Sequence, residues 1–378
     1  MNLPVLSDAS YRALPKALRD FVDYRKSGLS LNHIIGCPME CAYCIRHIFR
    51  TYALREPHAL ASDERAVESL LQSPYFSPHI TPIQLLNRAT DPFLPTVREH
   101  THSILRMLDA RELRNFVLVI TRARITDEDC ERLNRLRHVK IALLITYSGI
   151  NNSQLERVDP AIPRRSLETA YRNAESYRVV MYWRPLIQGV NDSPAHLSRA
   201  LSLSRHAHAA AFTGLLFRPA IQRFFAEYGL DAPYDVSARR KILPRETEIR
   251  VLEAYQARGS TDVAPLFRKT SCAVSHAFGV ADYNAHYCVE ELCDICPERQ
   301  VEVCRAAYRV PDRTIIERLL ETIGRHGTPF SVTDRAVLID LDDQDRHYLQ
   351  HKLAFQVQNP RLPHKPEHHG RADVGWEQ

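Results

Sequence analysis

Over the first 220 residues, dense apolar runs alternate with stretches whose apolar positions fall at helical spacing. Six runs are rich enough in β-branched and aromatic residues to predict strands: Leu29–Gly36, Pro82–Thr90, Phe116–Arg122, Lys140–Tyr147, Val179–Ile187 and Phe212–Phe217. The stretches between them carry helix start signals. Ser62 precedes Asp63 and Glu64, whose negative charge suits a helix N-terminus. Ser166 opens a run with Leu167, Ala170, Ala174 and Tyr177, and Ser193-Pro194 places a capping hydroxyl before a first-turn proline. This alternation predicts an α/β fold with a mostly parallel sheet. Six strands with right-handed crossovers predict an open, partial (β/α)6 TIM-like barrel, whose chemistry sits where the strands end.

Polar residues gather at those ends: Asn87, Thr90 and Asp91 after strand two, Thr146 and Ser148 after strand four, Arg184 in strand five and Arg218 after strand six. The pattern divides the chain into a lead-in (1–28), the barrel (29–220), a cysteine-rich extension (221–310) and a small α/β unit with a tail (311–378). In the last unit, Thr314–Arg325 and Gln344–Phe355 read as helices and Ala336–Leu341 as a strand. The tail from Asn359, rich in Pro, His and charge, reads as disordered, with His364, His368 and His369 as adventitious metal ligands at most.

Charge and composition narrow the picture. A net charge of +5 in 378 residues, with seven lysines against forty-three arginines, points to coding bias rather than a nucleic-acid-gripping surface. No apolar run approaches the roughly 20 residues of a membrane helix. Met1–Asp20 lacks a signal-peptide core, so a cytoplasmic protein is expected. In that reducing setting, nine clustered cysteines predict metal binding rather than disulfides. Cys130 is the exception: it shares a helical face with Leu133 and Leu136 and reads as a buried, inert thiol.

The densest chemistry is Cys37-Pro38-Met39-Glu40-Cys41-Ala42-Tyr43-Cys44, directly after the first predicted strand. Three thiolates on one loop can face an iron–sulfur cube and leave its fourth iron without a protein ligand. The competing reading is a structural zinc site completed by His33 or His47. CxxxCxxC with an aromatic before the last cysteine closely resembles the radical S-adenosylmethionine (SAM) superfamily. That resemblance implies a [4Fe–4S] cluster on Cys37, Cys41 and Cys44, with SAM on the open iron. It also implies reductive cleavage of SAM to a 5′-deoxyadenosyl radical, fed by an external donor such as a flavodoxin or ferredoxin. It covers residues 29–220, with the spore photoproduct lyase-like branch as the nearest look. Asn87-Arg88-Ala89-Thr90-Asp91-Pro92-Phe93 resembles that branch's T-(D/E)-P-(Y/F) segment, and Arg184–Asp192 its P-(I/L)-I-x-G-x-N-D segment. The implied coenzyme contacts are Tyr43, Asn87, Thr90, Asp91, Thr146, Ser148, Arg184, Gly189 and Asn191. Val158-Asp159-Pro160 and Pro163-Arg164-Arg165 resemble the start of the branch's fourth helix.

A second group comprises Cys272, Cys288, Cys293, Cys296 and Cys304. It suits an auxiliary [4Fe–4S] cluster, a zinc knuckle or unligated thiols. Five thiols for at most four places leave one over, as a hydrogen-atom donor or a buried residue. Phe267–Cys272 reads as a further strand that brings Cys272 to the rim. The expected function is radical SAM chemistry on a small molecule of specialised metabolism (a sugar, nucleoside or amino-acid intermediate), ending in rearrangement, epimerisation or sulfur insertion. The alternatives are photoproduct-lyase-type repair of nucleic acid and a non-enzymatic iron–sulfur or zinc sensor.

Overall fold

The computed structural model describes residues 3–259, 262–362, 368, 369, 371 and 372. An eight-stranded sheet organises them. After two short helices come β1 (Val22–Arg25), β2 (Gly28–Leu31), β3 (Ile34–Ile35) and β4 (His58–Ala59). Then follow β5 (Ile83–Leu85), β6 (Phe116–Thr121), β7 (Lys140–Tyr147), β8 (Arg178–Leu186), β9 (Ala209–Gly214) and β10 (Leu266–Phe267). The large sheet runs β1-β2-β5-β6-β7-β8-β9-β10; every neighbouring pair is parallel except the β1–β2 hairpin at one edge. An α/β protein with a mostly parallel sheet is what the alternation predicted.

The central strands are apolar on both faces, which is why they read so clearly. One face packs Leu29, Ile83, Val117, Ile141, Leu143, Val179 and Met181 against the crossover helices. The other buries Leu118, Ala142, Leu144, Val180, Tyr182 and Phe267 beneath a helix at Thr270–Ala277. Ser62 and Ser193 cap their helices, each accepting from the backbone N–H three residues on.

Several boundaries differ from expectation. The first predicted strand splits: Gly28–Leu31 enters the large sheet, while Ile34–Ile35 pairs antiparallel with β4. The helix expected to open at Ser166 starts at Ala161. Ser166 is buried in its middle, its Oγ accepting from Ile125 N (3.0 Å) and donating to Ala123 O (3.0 Å). Of the expected extra strand Phe267–Cys272, only Phe267 pairs in the sheet, and Cys272 lies on the helix that follows. The last unit contains helices at Arg313–Thr322 and Asp343–Leu353 around a small sheet of β11 (Phe330–Val332), β12 (Val337–Ile339) and β13 (Val357–Gln358). It docks on the hairpin edge, where Tyr24 Oη lies 2.7 Å from His351 Nδ1.

The described residues of the tail depart from the expectation. Its residues 368, 369, 371 and 372 pack onto the body: Ala372 N donates to Lys241 O (3.1 Å), and Arg371 pairs with the buried Glu248 (2.5 Å). A buried ion pair holds Arg371 where composition alone predicted disorder. His364 lies outside the described residues.

Candidate active site

The CxxxCxxC loop is shaped by its neighbours. At Gly36 (φ 103°) a Cβ would lie 2.0 Å from the carbonyl oxygen of Glu56, so no side chain fits where the loop begins. Arg46 then pins the loop from behind. Its buried guanidinium donates to the carbonyls of Cys37 (2.9 Å), Thr51 (2.5 Å), Tyr52 (3.2 Å) and Leu54. Ala42 N donates to Leu155 O (2.9 Å), tying the loop to the segment after β7.

The cysteines border a cavity of about 240 Å³. Its other walls come from the segment after β5, the ends of β6 to β9, and Lys241. Tyr43, Asn87, Thr90, Asp91, Thr146 and Arg184 all line it. Ser148, Gly189 and Asn191 do not. Ser148 Oγ donates to Glu156 (2.7 Å), and Gly189 N donates to Asp192 (2.8 Å). Asn191 accepts from Ile187 N (2.8 Å) and donates to the carbonyls of Ser148 (2.6 Å) and Pro185 (2.8 Å), closing the loop after β8.

The lining residues differ in what they can still bind. Asp91 already accepts from Thr121 Oγ1 (2.7 Å), Arg122 N (2.8 Å) and Phe93 N (3.0 Å). Burial nonetheless holds its carboxyl above the usual range, against the pull of these bonds. Thr90 Oγ1 and Asn87 Oδ1, by contrast, are buried with no hydrogen-bond partner among the described residues. Two orphan oxygens beside three thiols suit a ligand that brings donors.

Behind the loop lies a network the sequence did not disclose. Glu156 accepts from Tyr43 Oη, from Ser148 and from Arg122 Nη1 (2.5 Å), and Arg122 also reaches Tyr43 Oη (3.1 Å). Burial raises Tyr43 well above a normal phenol. Arg122 stays charged because Glu156 and Tyr43 outweigh its own desolvation.

Burial pushes the Cys37 thiol up to about 11 and Cys41 up to about 12, so both are neutral until a metal displaces the proton. Among the described residues, one set of three prospective ligands has its donor atoms within 4.8 Å of one another: Cys272, Asp282 and His286. The sulfurs of Cys37, Cys41 and Cys44 are not such a set. Neither His33 nor His47 closes onto the triplet; His33 Nε2 bonds Asp63 (3.0 Å), and His47 stacks on Tyr52 (3.8 Å between rings).

The second cysteine group separates into four and one. Cys272 is in the first turn of its helix, and Cys304 lies on the helix Glu298–Ala307, accepting from Gln300 Nε2 (3.2 Å). Cys293 and Cys296 share a thiol hydrogen bond that lowers Cys293. Burial raises Cys272 well above a normal thiol, reinforced by Asp282, Cys293 and Cys304 nearby. Cys288 points elsewhere, into the core of the small unit with Ile316, Leu320, Val337 and Phe355. Cys130 is fully buried with Leu133 and Leu136 in the main core, as its spacing predicted.

No protein-family model and no curated protein matches the sequence. Solved structures similar to the chain include a spore photoproduct lyase variant (12% identity over 68% of this chain and 84% of that one, TM-score 0.49). Another is spore photoproduct lyase complexed with a dinucleoside spore photoproduct (12%, 61% and 72%, TM-score 0.44). A third is Streptococcus suis SuiB bound to S-adenosylmethionine (11%, TM-score 0.42); the match takes in 68% of this chain and about half, 54%, of SuiB. Overlaps this loose transfer no role to individual residues. No helix among the described residues is long and apolar enough to cross a membrane.

Proposed function

We propose that the chain is a radical SAM enzyme built on a partial (β/α) barrel with a cysteine-rich extension. The observation that carries this reading is the cavity wall. Buried Cys37 and Cys41 and half-buried Cys44 share a lined space with the orphan oxygens of Thr90 and Asn87. Cys37, Cys41 and Cys44 would hold a [4Fe–4S] cluster and leave one iron for SAM. When bound, that pair supplies a 5′-deoxyadenosyl radical able to take hydrogen from an unactivated carbon.

The chain's own residues then have definite tasks. Arg46 holds the cysteine loop in shape through four carbonyls. Thr90 and Asn87 offer acceptors to the coenzyme's ammonium and ribose. Asp91 fixes the β5 and β6 ends relative to each other. Glu156, held by Arg122, positions Tyr43 between two of the cysteines. The walls from Ile120, Pro185 and Leu215 keep the reacting centre dry, which protects a radical from stray hydrogen donors.

Cys272, Cys293, Cys296 and Cys304 form a second thiolate centre in this reading, an auxiliary cluster, with Cys288 the thiol left over. The compact Cys272–Asp282–His286 set favours zinc as its rival occupant. The substrate is a small molecule, and a flavodoxin- or ferredoxin-like donor supplies the electron.

Anaerobic reconstitution with iron and sulfide, then SAM and dithionite, should yield 5′-deoxyadenosine from the wild type and none from Cys41→Ala. An intact cluster without that product would overturn the proposal. Tight, salt-sensitive binding of lesion-bearing duplex would move the substrate from small molecule to nucleic acid.

A further inference from the structure

The cavity's charges do not balance. Arg46 is occupied by carbonyls, Arg88 pairs with Asp23 (2.7 Å), and Arg122 pairs with Glu156. Glu40, the lining's other acid besides Asp91, is held by Arg55 (2.8 Å) and Arg157. Two lining cations remain, Arg184 and Lys241, and neither has a carboxylate partner among the described residues. Both gather on one phenol instead. Arg184 Cζ sits 4.1 Å over the Tyr182 ring, and Lys241 Nζ is 3.2 Å from its hydroxyl.

Lys269 adds to the positive field: burial lowers it well below its ordinary value, with the charges of Lys26, Arg371 and Lys241 contributing, and its Nζ donates to the carbonyl of His369. Burial alone would raise the Tyr182 phenol, but Arg184 and Lys241 outweigh it and bring it down to about 7. Clustered, partly desolvated cations are costly unless a counter-charge arrives.

We propose that Arg184 and Lys241 receive an oxyanion carried by the substrate, a phosphate or carboxylate group of a small molecule. Calling this ligand the substrate rests on the radical SAM reading; the anion site itself does not. It places the substrate's charged end away from the reacting carbon, so that charge anchors and the cysteine end of the cavity does the chemistry.

The test is calorimetric titration of the reconstituted protein, SAM present, with inorganic phosphate and separately with acetate. One site should appear, and the stronger anion names the substrate's group. Lys241→Met and Arg184→Met should each weaken binding about tenfold or more, as for loss of a charge-assisted hydrogen bond. Lys241→Arg should retain most of it. Lys352→Met, remote at Ser77 (3.0 Å), should change nothing. Absence of anion binding while 5′-deoxyadenosine still forms would overturn the inference and leave the function standing. Competition between phosphate and SAM would also overturn it, assigning these cations to the coenzyme's own carboxylate. Anion binding without deoxyadenosine would support the site and overturn the function.

Discussion

Glu156 is the most informative residue to remove. It is 113 positions from Tyr43 in sequence, and its side chain is 3% exposed against 12% for Arg122. Glu156→Ala would leave the Arg122 guanidinium buried without its counter-charge, which typically costs about 3–5 kcal/mol. Tyr43 and Ser148 lose their acceptor as well, although water entering the space left by the carboxylate would recover part of that. Glu156→Gln keeps an acceptor for both hydroxyls and loses only the charge, so its cost should be about 1–3 kcal/mol. Joint replacement, Arg122→Met with Glu156→Leu, removes both charges and should cost far less than the two single changes added together, because a buried pair can often be exchanged for apolar packing. Urea unfolding of the cluster-free protein, followed by circular dichroism, measures all four states of this cycle. Iron retained after reconstitution reports whether Tyr43 still orders the loop. A cost below about 1 kcal/mol for Glu156→Ala, or a cycle that is additive, would refute the claim that this pair holds the triplet in place.

Three further outcomes follow from other parts of the fold. Asp129 accepts from His102 Nε2 (3.0 Å), Thr126 N (2.8 Å) and Thr126 Oγ1 (2.8 Å), and these bonds outweigh its burial and lower its carboxyl. A lowered folded value means the stabilisation is full above the ordinary 3.8 and is lost as pH falls through the folded value. Asp129→Asn should therefore melt lower than wild type at neutral pH and converge with it in acid, and a gap independent of pH would contradict this. At Gly214 a Cβ would lie 1.8 Å from the carbonyl oxygen of Ile242, so Gly214→Ala should cost about 2 kcal/mol or more and displace Lys241. A wild-type melting curve would rule that out. For the second thiolate centre, Cys293→Ser should lower bound metal, while Cys288→Ser should destabilise the small unit's apolar core and leave metal content unchanged; metal analysis of both separates them.

What could be read in the sequence was whatever is local. β6, β7 and β8 announce themselves because a strand buried on both faces must be a continuous apolar run. The cysteine triplet does so because eight consecutive residues contain its whole ligand set. Caps at Ser62 and Ser193 are equally local. Ser166 misled for the opposite reason: its hydroxyl serves the backbone at Ala123 and Ile125, a tertiary bond that imitates a cap in composition. Cys272 looked like a strand end because Leu266–Phe267 begins one, and the helix that stops it is dictated by packing on β8 and β9.

Charge balance was the part that could not be read. Arg46, Arg122 and Arg184 are three of forty-three arginines, with nothing in their neighbours to separate them. Only the fold shows that the first is spent on carbonyls, the second on Glu156, and the third on no acid among the described residues. The same holds for the cysteines of the extension, where spacing admits all five and burial assigns Cys288 to an apolar core. Lysine scarcity, which argued against a nucleic-acid surface, acquires a second meaning at Lys241. A chain that answers most needs with arginine has placed one of its seven lysines on the cavity wall beside Arg184, where a compact point charge can meet a small anion.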